Sequence, residues 1–308
     1  MPITIIIPVK NEAGNLPECL SRLEDFEHVV VVDSGSTDET VAIAEKAGAE
    51  VLHFQWDGRF PKKRNWVLRN YDFKTDWVLF LDADEFVTPR FVEELRAALA
   101  DGSKVGYWLN YERWFLGKQL RYGDEFQKLA LFRVDAGEYE RIEELNWSAL
   151  DMEIHEHPVV DGEVGEIKAP IEHNEYRGLR HYIAKHNEYS SWEANRYLRL
   201  SGYEGGKVES GKFKPTSLGD AESRGRRFGG SEWEKLTERQ KKKYRHLTKW
   251  WAAPVYFLRG YFWKRGFLDG AAGFHFAFLK AVYFYQIRLK IKERLGGGSG
   301  FSAIRRDK

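Results

Sequence analysis

A single cysteine, Cys19, stands in 308 residues. That excludes an intrachain disulfide framework and any zinc site built on cysteines, and it suits a reducing compartment. No apolar run comes near the ~20 residues that span a bilayer; the longest uncharged stretch of the aromatic C-terminal part is Gly270–Leu279. No basic segment precedes Ile3–Val9, so the N-terminus reads as a first strand and not as a signal peptide. The first strand is not followed by Gly-x-Gly-x-x-Gly, which argues against a dinucleotide site, and there is no Walker loop. No internal repeat is visible.

Charge of one sign is scarce in each half, although the whole chain sums to +1. Residues 1–200 carry 24 Lys+Arg against 37 Asp+Glu, and residues 201–308 carry 24 against 10. A split of this kind suggests that the basic half meets an anionic surface. Nucleic acid is not expected, because no recognition motif accompanies the charge.

What is present begins with alternation of strand and helix over the first hundred residues. Strands are predicted at Ile3–Val9, His28–Val32, Glu50–Phe54 and Trp77–Leu81, with helices at Ala13–Phe26, up to Ala47, at Arg59–Asn70 and at Pro89–Ala100. Such alternation implies an α/β sheet, largely parallel, with helices on both faces. Aromatic-rich strands follow at Val105–Tyr111, Gln127–Arg133 and Met152–His155, then a long helix over Gly178–Leu200. The predicted parts are residues 1–200 (divided near 104), a basic loop region 201–247, aromatic-basic helices 248–295 broken near Gly266, and a Gly-rich tail 296–308.

The chemistry concentrates where Asp76-Trp77-Val78-Leu79-Phe80-Leu81 runs into Asp82-Ala83-Asp84-Glu85. A continuous apolar run is a strand covered on both faces, and ligands of such sheets bind beyond the carboxyl ends of the strands. Carboxylate oxygens there suit magnesium or manganese shared with substrate phosphates. A bare Asp-x-Asp is as readily a solvated strand end. Asn11, Glu12 and Asp33 end other strands of the same sheet, and the cations Lys62, Lys63 and Arg64 open a helix nearby, as a diphosphate site would need.

Four pieces together resemble the family 2 inverting glycosyltransferases with the GT-A nucleotide-sugar fold. They are Ile5–Glu12, Val31–Thr40, Lys63-Arg64-Asn65 and Asp82–Glu85, in the family order. The downstream pieces Ile154-His155-Glu156-His157, Ile171-Glu172-His173 and Lys264–Gly270 resemble a bacterial branch that glycosylates lipopolysaccharide core. The loop from Ser201 to Ser231 is longer than that branch leads one to expect. The resemblance implies a catalytic domain over 1–200, with a nucleotide-sugar half to 104 and an acceptor half beyond. It implies that Pro8, Asn11 and Glu12 line the nucleoside pocket and that Asp33 meets the base of a UDP-sugar. Lys63 or Arg64 with Asn65 would lie near the donor, Asp82 would hold the ribose or the metal shell, and Asp84 would ligate Mn2+ or Mg2+. Glu156 is the candidate base that takes the acceptor proton, with Asp151 and Glu153 as alternatives. His173 is a further candidate for the metal shell.

The expected acceptor is a cell-envelope glycan or glycolipid. The aromatic, basic segment Thr248–Arg294 suits an anionic membrane surface, placing the enzyme peripherally on the cytoplasmic face of the plasma membrane, unless these helices simply pack in a core. Two other functions compete. A haloacid-dehalogenase-like phosphatase also places Asp-x-Asp after an apolar strand, but wants Thr or Val where Phe86 stands and usually uses the first strand. A non-catalytic binder of nucleotide-sugar or anionic lipid would need no ordered base.

Overall fold

The computed structural model describes residues 1–57, 59–142, 157–174, 177–202, 228, 231–234 and 236–295. The expected strand at Met152–His155 and the candidate base Glu156, with Asp151 and Glu153, lie outside the described residues. Two compact units are formed: one from the N-terminal part up to Tyr182 with Gly266–Gly273, the other from Ile183–Arg265 and the chain from Phe274.

The first unit is a mixed α/β fold. Its strands are β1 (Ile3–Val9), β2 (His28–Asp33), β3 (Glu50–His53), β4 (Trp77–Phe80), β5 (Glu85–Phe86), β6 (Gly106–Phe115), β7 (Lys118–Leu120), β8 (Gln127–Arg133) and β11 (Val164–His173). They form one sheet in the order β3-β2-β1-β4-β8-β6-β11-β5, with β7 on β6. The strands β3, β2, β1 and β4 are parallel, and β8 runs against both its neighbours. β9 (Gly137–Tyr139) and β10 (Pro158–Val160) pair separately. Period-two alternation explains the two layers of core. Ile3, Ile5 and Ile7 of β1 join Leu79 and Leu81 in one cluster, whereas Ile6 joins Val30, Val32, Val78 and Phe80 in another. β1 is therefore covered on both faces, as its unbroken apolar run requires.

Several helices are shorter than the sequence suggested. α1 spans Leu16–Ser21, because Pro17 belongs in a first turn and the chain after Ser21 closes with three-residue bonds, such as Leu23 N–H to Leu20 C=O. α2 spans Thr40–Lys46. α3 spans Lys63–Asn70 and not Arg59–Asn70. Phe60 precedes Pro61, and the residue before a proline is pushed out of helical geometry. α4 (Pro89–Asp101) keeps its proline in the first turn, is capped by Thr88 accepting from the Phe91 N–H, and ends at Gly102 with φ 63°.

The second unit is helical. α5 (Gly178–Leu200) enters it at Ile183, followed by α6 (Glu238–His246), α7 (Ala252–Leu258), a π turn (Arg259–Trp263) and α8 from Phe274 onward, α8 as a whole spanning Gly270–Leu295. Thr237 and Gln240 close a capping box at the start of α6. Its core gathers Tyr197, Leu198, Trp233, Leu247, Phe284, Ile287 and Ile291.

Candidate active site

The ladder between β1 and β4 ends at Ile6↔Phe80, with Leu81 N–H reaching Ile6 C=O at 3.0 Å. The next bond in that register would need an N–H at residue 8, and Pro8 has none. The two strands therefore part at their carboxyl ends, and the acidic segment Asp82–Glu85 leaves β4 beside the loop that leaves β1. Parallel strands opening at this end form the crevice in which such sheets hold ligands.

The loop after β1 is tied to the loop after β2. Asn11 takes a left-handed conformation (φ 57°), its N–H donates to Ser36 Oγ at 2.8 Å, and its Oδ1 accepts from the Thr37 N–H at 2.8 Å. The Glu12 N–H donates to Thr40 Oγ1 at 2.9 Å, while its carboxylate accepts from Asn15 at 2.8 Å and Arg177 at 2.9 Å. Asp33 is buried, and its carboxylate accepts from the N–H groups of Gly35 at 3.0 Å and Ser36 at 3.1 Å. The predicted nucleoside residues thus converge. Each of Asn11, Glu12 and Asp33 spends hydrogen bonds on shaping the two loops.

On the other side of the crevice the carboxylates meet cations. Asp82 accepts from Arg64 Nη2 at 2.9 Å through Oδ1 and from Lys128 Nζ at 2.6 Å through Oδ2. Lys128 also pairs with Glu85, which is fully buried and accepts the Asp82 N–H at 3.1 Å. Burial raises the Glu85 carboxyl above its usual range, and Lys128 opposes that rise. Burial disfavours the Lys128 ammonium, but Asp82 and Glu85 outweigh it and hold its pKa well above the ordinary lysine value. Glu85 is brought there by β5, whose antiparallel pairing sets Glu85 opposite His173 of β11. His173 Nε2 then lies 3.5 Å from Asp84 Oδ2. Burial lowers the imidazole's pKa and Asp84 more than restores it, so the net shift is upward. Cys19, beneath this group, is kept a neutral thiol by burial and by the nearby carboxylates, Glu85 first.

The predicted cationic helix start divides in use. Lys63 is buried with Nζ 3.5 Å from Val9 C=O, and Arg64 holds Asp82. Asn65 is fully buried, and both ends of its amide bond the backbone of Tyr139, at 2.9 and 2.8 Å. It joins α3 to β9, and the side chain expected near the donor is committed to that join. Lys128 escaped sequence reasoning, though one sign was available: it is a cation set directly before four apolar residues within one strand. Arg177 left no sign at all.

A divalent cation with substrate phosphates asks for one or two carboxylates, the remaining positions going to water and phosphate. Asp84 with His173 fits that demand. Asp82, expected to share the metal, has each oxygen engaged by a cation. Among the described residues no group of three or more His, Cys, Asp or Glu surrounds one position. The motif Lys264–Gly270 contributes scaffold: Asp269 accepts from the N–H groups of Arg121 at 3.1 Å and Tyr122 at 3.0 Å, and its carbonyl accepts from Lys118 at 2.7 Å. Just beyond it, a Cβ on Gly273 would meet Gly266 C=O at 2.0 Å, so only glycine fits.

A mixed sheet whose parallel strands end beside paired carboxylates agrees with the GT-A fold that the sequence resemblance implies. Residues 4–151 match the family model of glycosyl transferase family 2. The lipopolysaccharide core biosynthesis glycosyltransferase LpsC of Rhizobium meliloti is 27% identical over 93% of each chain. A TPR repeat-containing protein of Synechococcus elongatus is 39% identical over 32% of this chain, which matches only 24% of that relative's length. Among solved structures, S. aureus TarS 1-349 in complex with UDP-GlcNAc is 18% identical, with 95% of this chain and 92% of that one covered, at a TM-score of 0.44.

Proposed function

We propose that the protein transfers a hexose, with inversion, from a nucleoside-diphosphate sugar of the UDP-glucose kind to a hydroxyl of a cell-envelope glycan or glycolipid such as lipopolysaccharide core. The observation that carries this is the division of labour among the carboxylates. Asp82 and Glu85 are paired with Arg64 and Lys128, whereas Asp84 is buried beside His173. Asp84 with His173 would hold Mn2+ or Mg2+, which when bound supplies Lewis-acid stabilisation of the leaving diphosphate. Asn11, Glu12 and Asp33 shape the wall on which the nucleoside would lie.

In the transfer, the acceptor oxygen forms a bond to the anomeric carbon on the face opposite the diphosphate. The carbon–oxygen bond to the diphosphate breaks, and its electron pair leaves with that oxygen. The acceptor proton passes to a carboxylate, for which Glu156 is proposed on the family resemblance and on its place between His155 and His157 in the acceptor half. The acceptor class is supported by the length over which LpsC is similar. The proposed setting is the cytoplasmic face of the plasma membrane, with the protein held peripherally. No helix among the described residues is long and apolar enough to cross a membrane.

The test begins with a panel of nucleotide-sugars and manganese, followed by transfer to a lipopolysaccharide-core acceptor. Glu156→Gln is expected to keep nucleoside-diphosphate affinity, read by calorimetry, and to lower single-turnover transfer by ~10²-fold or more. Lost affinity at an unchanged rate would move Glu156 to the donor pocket and the base role to Asp151 or Glu153. No turnover of any nucleotide-sugar would leave a non-catalytic binder as the better account.

A further inference from the structure

The helical unit presents a continuous aromatic surface. Ring contacts link Phe262 to Tyr261 at 5.0 Å, Tyr261 to Phe274 at 5.6 Å and Phe274 to Phe278 at 6.1 Å. Phe257 closes the group against Tyr261, Phe262 and Phe274. α7 with its π turn and α8 therefore share one apolar edge. Phe262, Phe274 and Phe278 of this group are exposed, as are their chain neighbours Leu258 and Trp263, Trp263 by 84% and Phe262 by 56%. An apolar surface of linked rings this open is what interaction sites look like, whereas scattered single exposures need no explanation.

The charge around it is of one sign. The thirty residues from Arg239 to Leu268 contain nine Lys or Arg and no acid. The next acids are Asp269, buried and bonded to backbone N–H groups, and then Glu293. Arg259 and Arg265, on either side of Phe262 and Trp263, are exposed.

We propose that this edge, made by Leu258, Phe262, Trp263, Phe274 and Phe278 with Arg259, Lys264 and Arg265, inserts into the interface of a bilayer containing anionic lipid. Tryptophan prefers the headgroup level, and basic side chains reach the lipid phosphates from the same depth. A second copy of this chain fits less well, because a two-fold contact through this edge would set cations against cations. The inference gives the membrane setting of the proposed function a specific surface. It is tested without donor or acceptor, so that its failure is distinct from failure of the glycosyltransfer.

The full-length protein would be sedimented with phosphatidylcholine vesicles and with vesicles containing phosphatidylglycerol. Partitioning is expected to be about tenfold or more higher on the anionic vesicles and to fall with salt without vanishing, since ring burial is not screened. Phe262→Ser with Trp263→Ser should remove the salt-resistant part. Arg259→Gln with Lys264→Gln should remove most of the preference for anionic vesicles. Circular dichroism and thermal melting of these variants should match the parent, as the replaced side chains lie outside the unit's core. Equal partitioning on both vesicle types, or none on either, would overturn the proposal. So would a concentration-dependent dimer, seen by sedimentation velocity and lost in the Phe262→Ser, Trp263→Ser variant, or retention by nucleic acid in place of vesicles.

Discussion

The two units distribute polarity in opposite ways. In the first, the apolar side chains of β1, β2 and β4 are sealed inside, and the charged groups gather where those strands end. In the second, charge is drawn inward: Glu193 of α5 is fully buried and paired with Lys243 of α6, while Lys290 of α8 donates to Ser190 and Ser191 at 2.8 and 2.7 Å. Several of its large rings, Trp250, Phe262 and Trp263 among them, face out. The geometry of the elements accounts for the difference. A strand buried on both faces has nowhere but its ends to place a carboxylate, so a sheet concentrates charge at an edge where a small ionic ligand fits. A helix has a continuous side, so it can spend its polar groups on neighbours and leave an extended apolar surface.

The largest expected effect comes from breaking the first pattern at its open end. Asp84→Asn keeps shape and removes the charge opposite His173. Transfer should fall by about three orders of magnitude, since a metal's transition-state stabilisation is worth several kcal/mol. The melting temperature should hardly move. Near-parental turnover at saturating manganese would show that Asp84 does not serve the metal, and that the crevice's charge is structural like that of the helical unit.

The same cut made in the second pattern should do the reverse. Lys243→Met removes one ion-pair partner of the buried Glu193, which keeps its bond to the Tyr244 hydroxyl. Removing one partner of a buried pair costs about 3–5 kcal/mol, and about 2–3 is expected here because Lys243 is partly exposed. Denaturant unfolding followed by helical signal would read that loss, and donor turnover at low temperature should persist. A large fall in turnover with stability intact would mean that Glu193 and Lys243 belong to the chemistry.

How far each pattern was legible follows from the range of the contacts that build it. The apolar runs ending in Asn11, Asp33 and Asp82 announced one sheet edge, because strand identity and alternation are local properties. Lys128 was not legible as a partner of Asp82. It arrives on β8, which inserts antiparallel between β4 and β6, and strand order is set by packing over long range. The two-residue strand β5, which delivers Glu85 to Lys128 and sets it opposite His173, is too short to leave a periodic signal. The helix over Gly178–Leu200 was read with its observed limits, since its bounding signals are local. The aromatic segment was visible as composition, but only the ring contacts show that Phe257, Tyr261, Phe262 and Phe274 form one group.

Asn65 offers the finest comparison, because it sits in the sheet unit yet is bonded in the manner of the helical one. The family resemblance sets it near the donor, whereas its amide donates to Tyr139 C=O and accepts the Tyr139 N–H. Asn65→Ala would strip both partners from a buried backbone position, and each unsatisfied group costs about 1–3 kcal/mol. Some of that cost should be recovered as the end of β9 relaxes toward water. The net loss is therefore expected to be about 2 kcal/mol, read as a lower denaturation midpoint at unchanged slope. The donor dissociation constant, measured on the folded fraction, should change less than twofold. Asn65→Asp makes the comparison sharper. It keeps an acceptor for the Tyr139 N–H while placing a carboxylate against the Tyr139 carbonyl, so it should be no more stable than the alanine variant. A normal midpoint with weakened donor binding would instead return Asn65 to the nucleotide pocket, and would mean that its bonds to Tyr139 give way when the donor arrives.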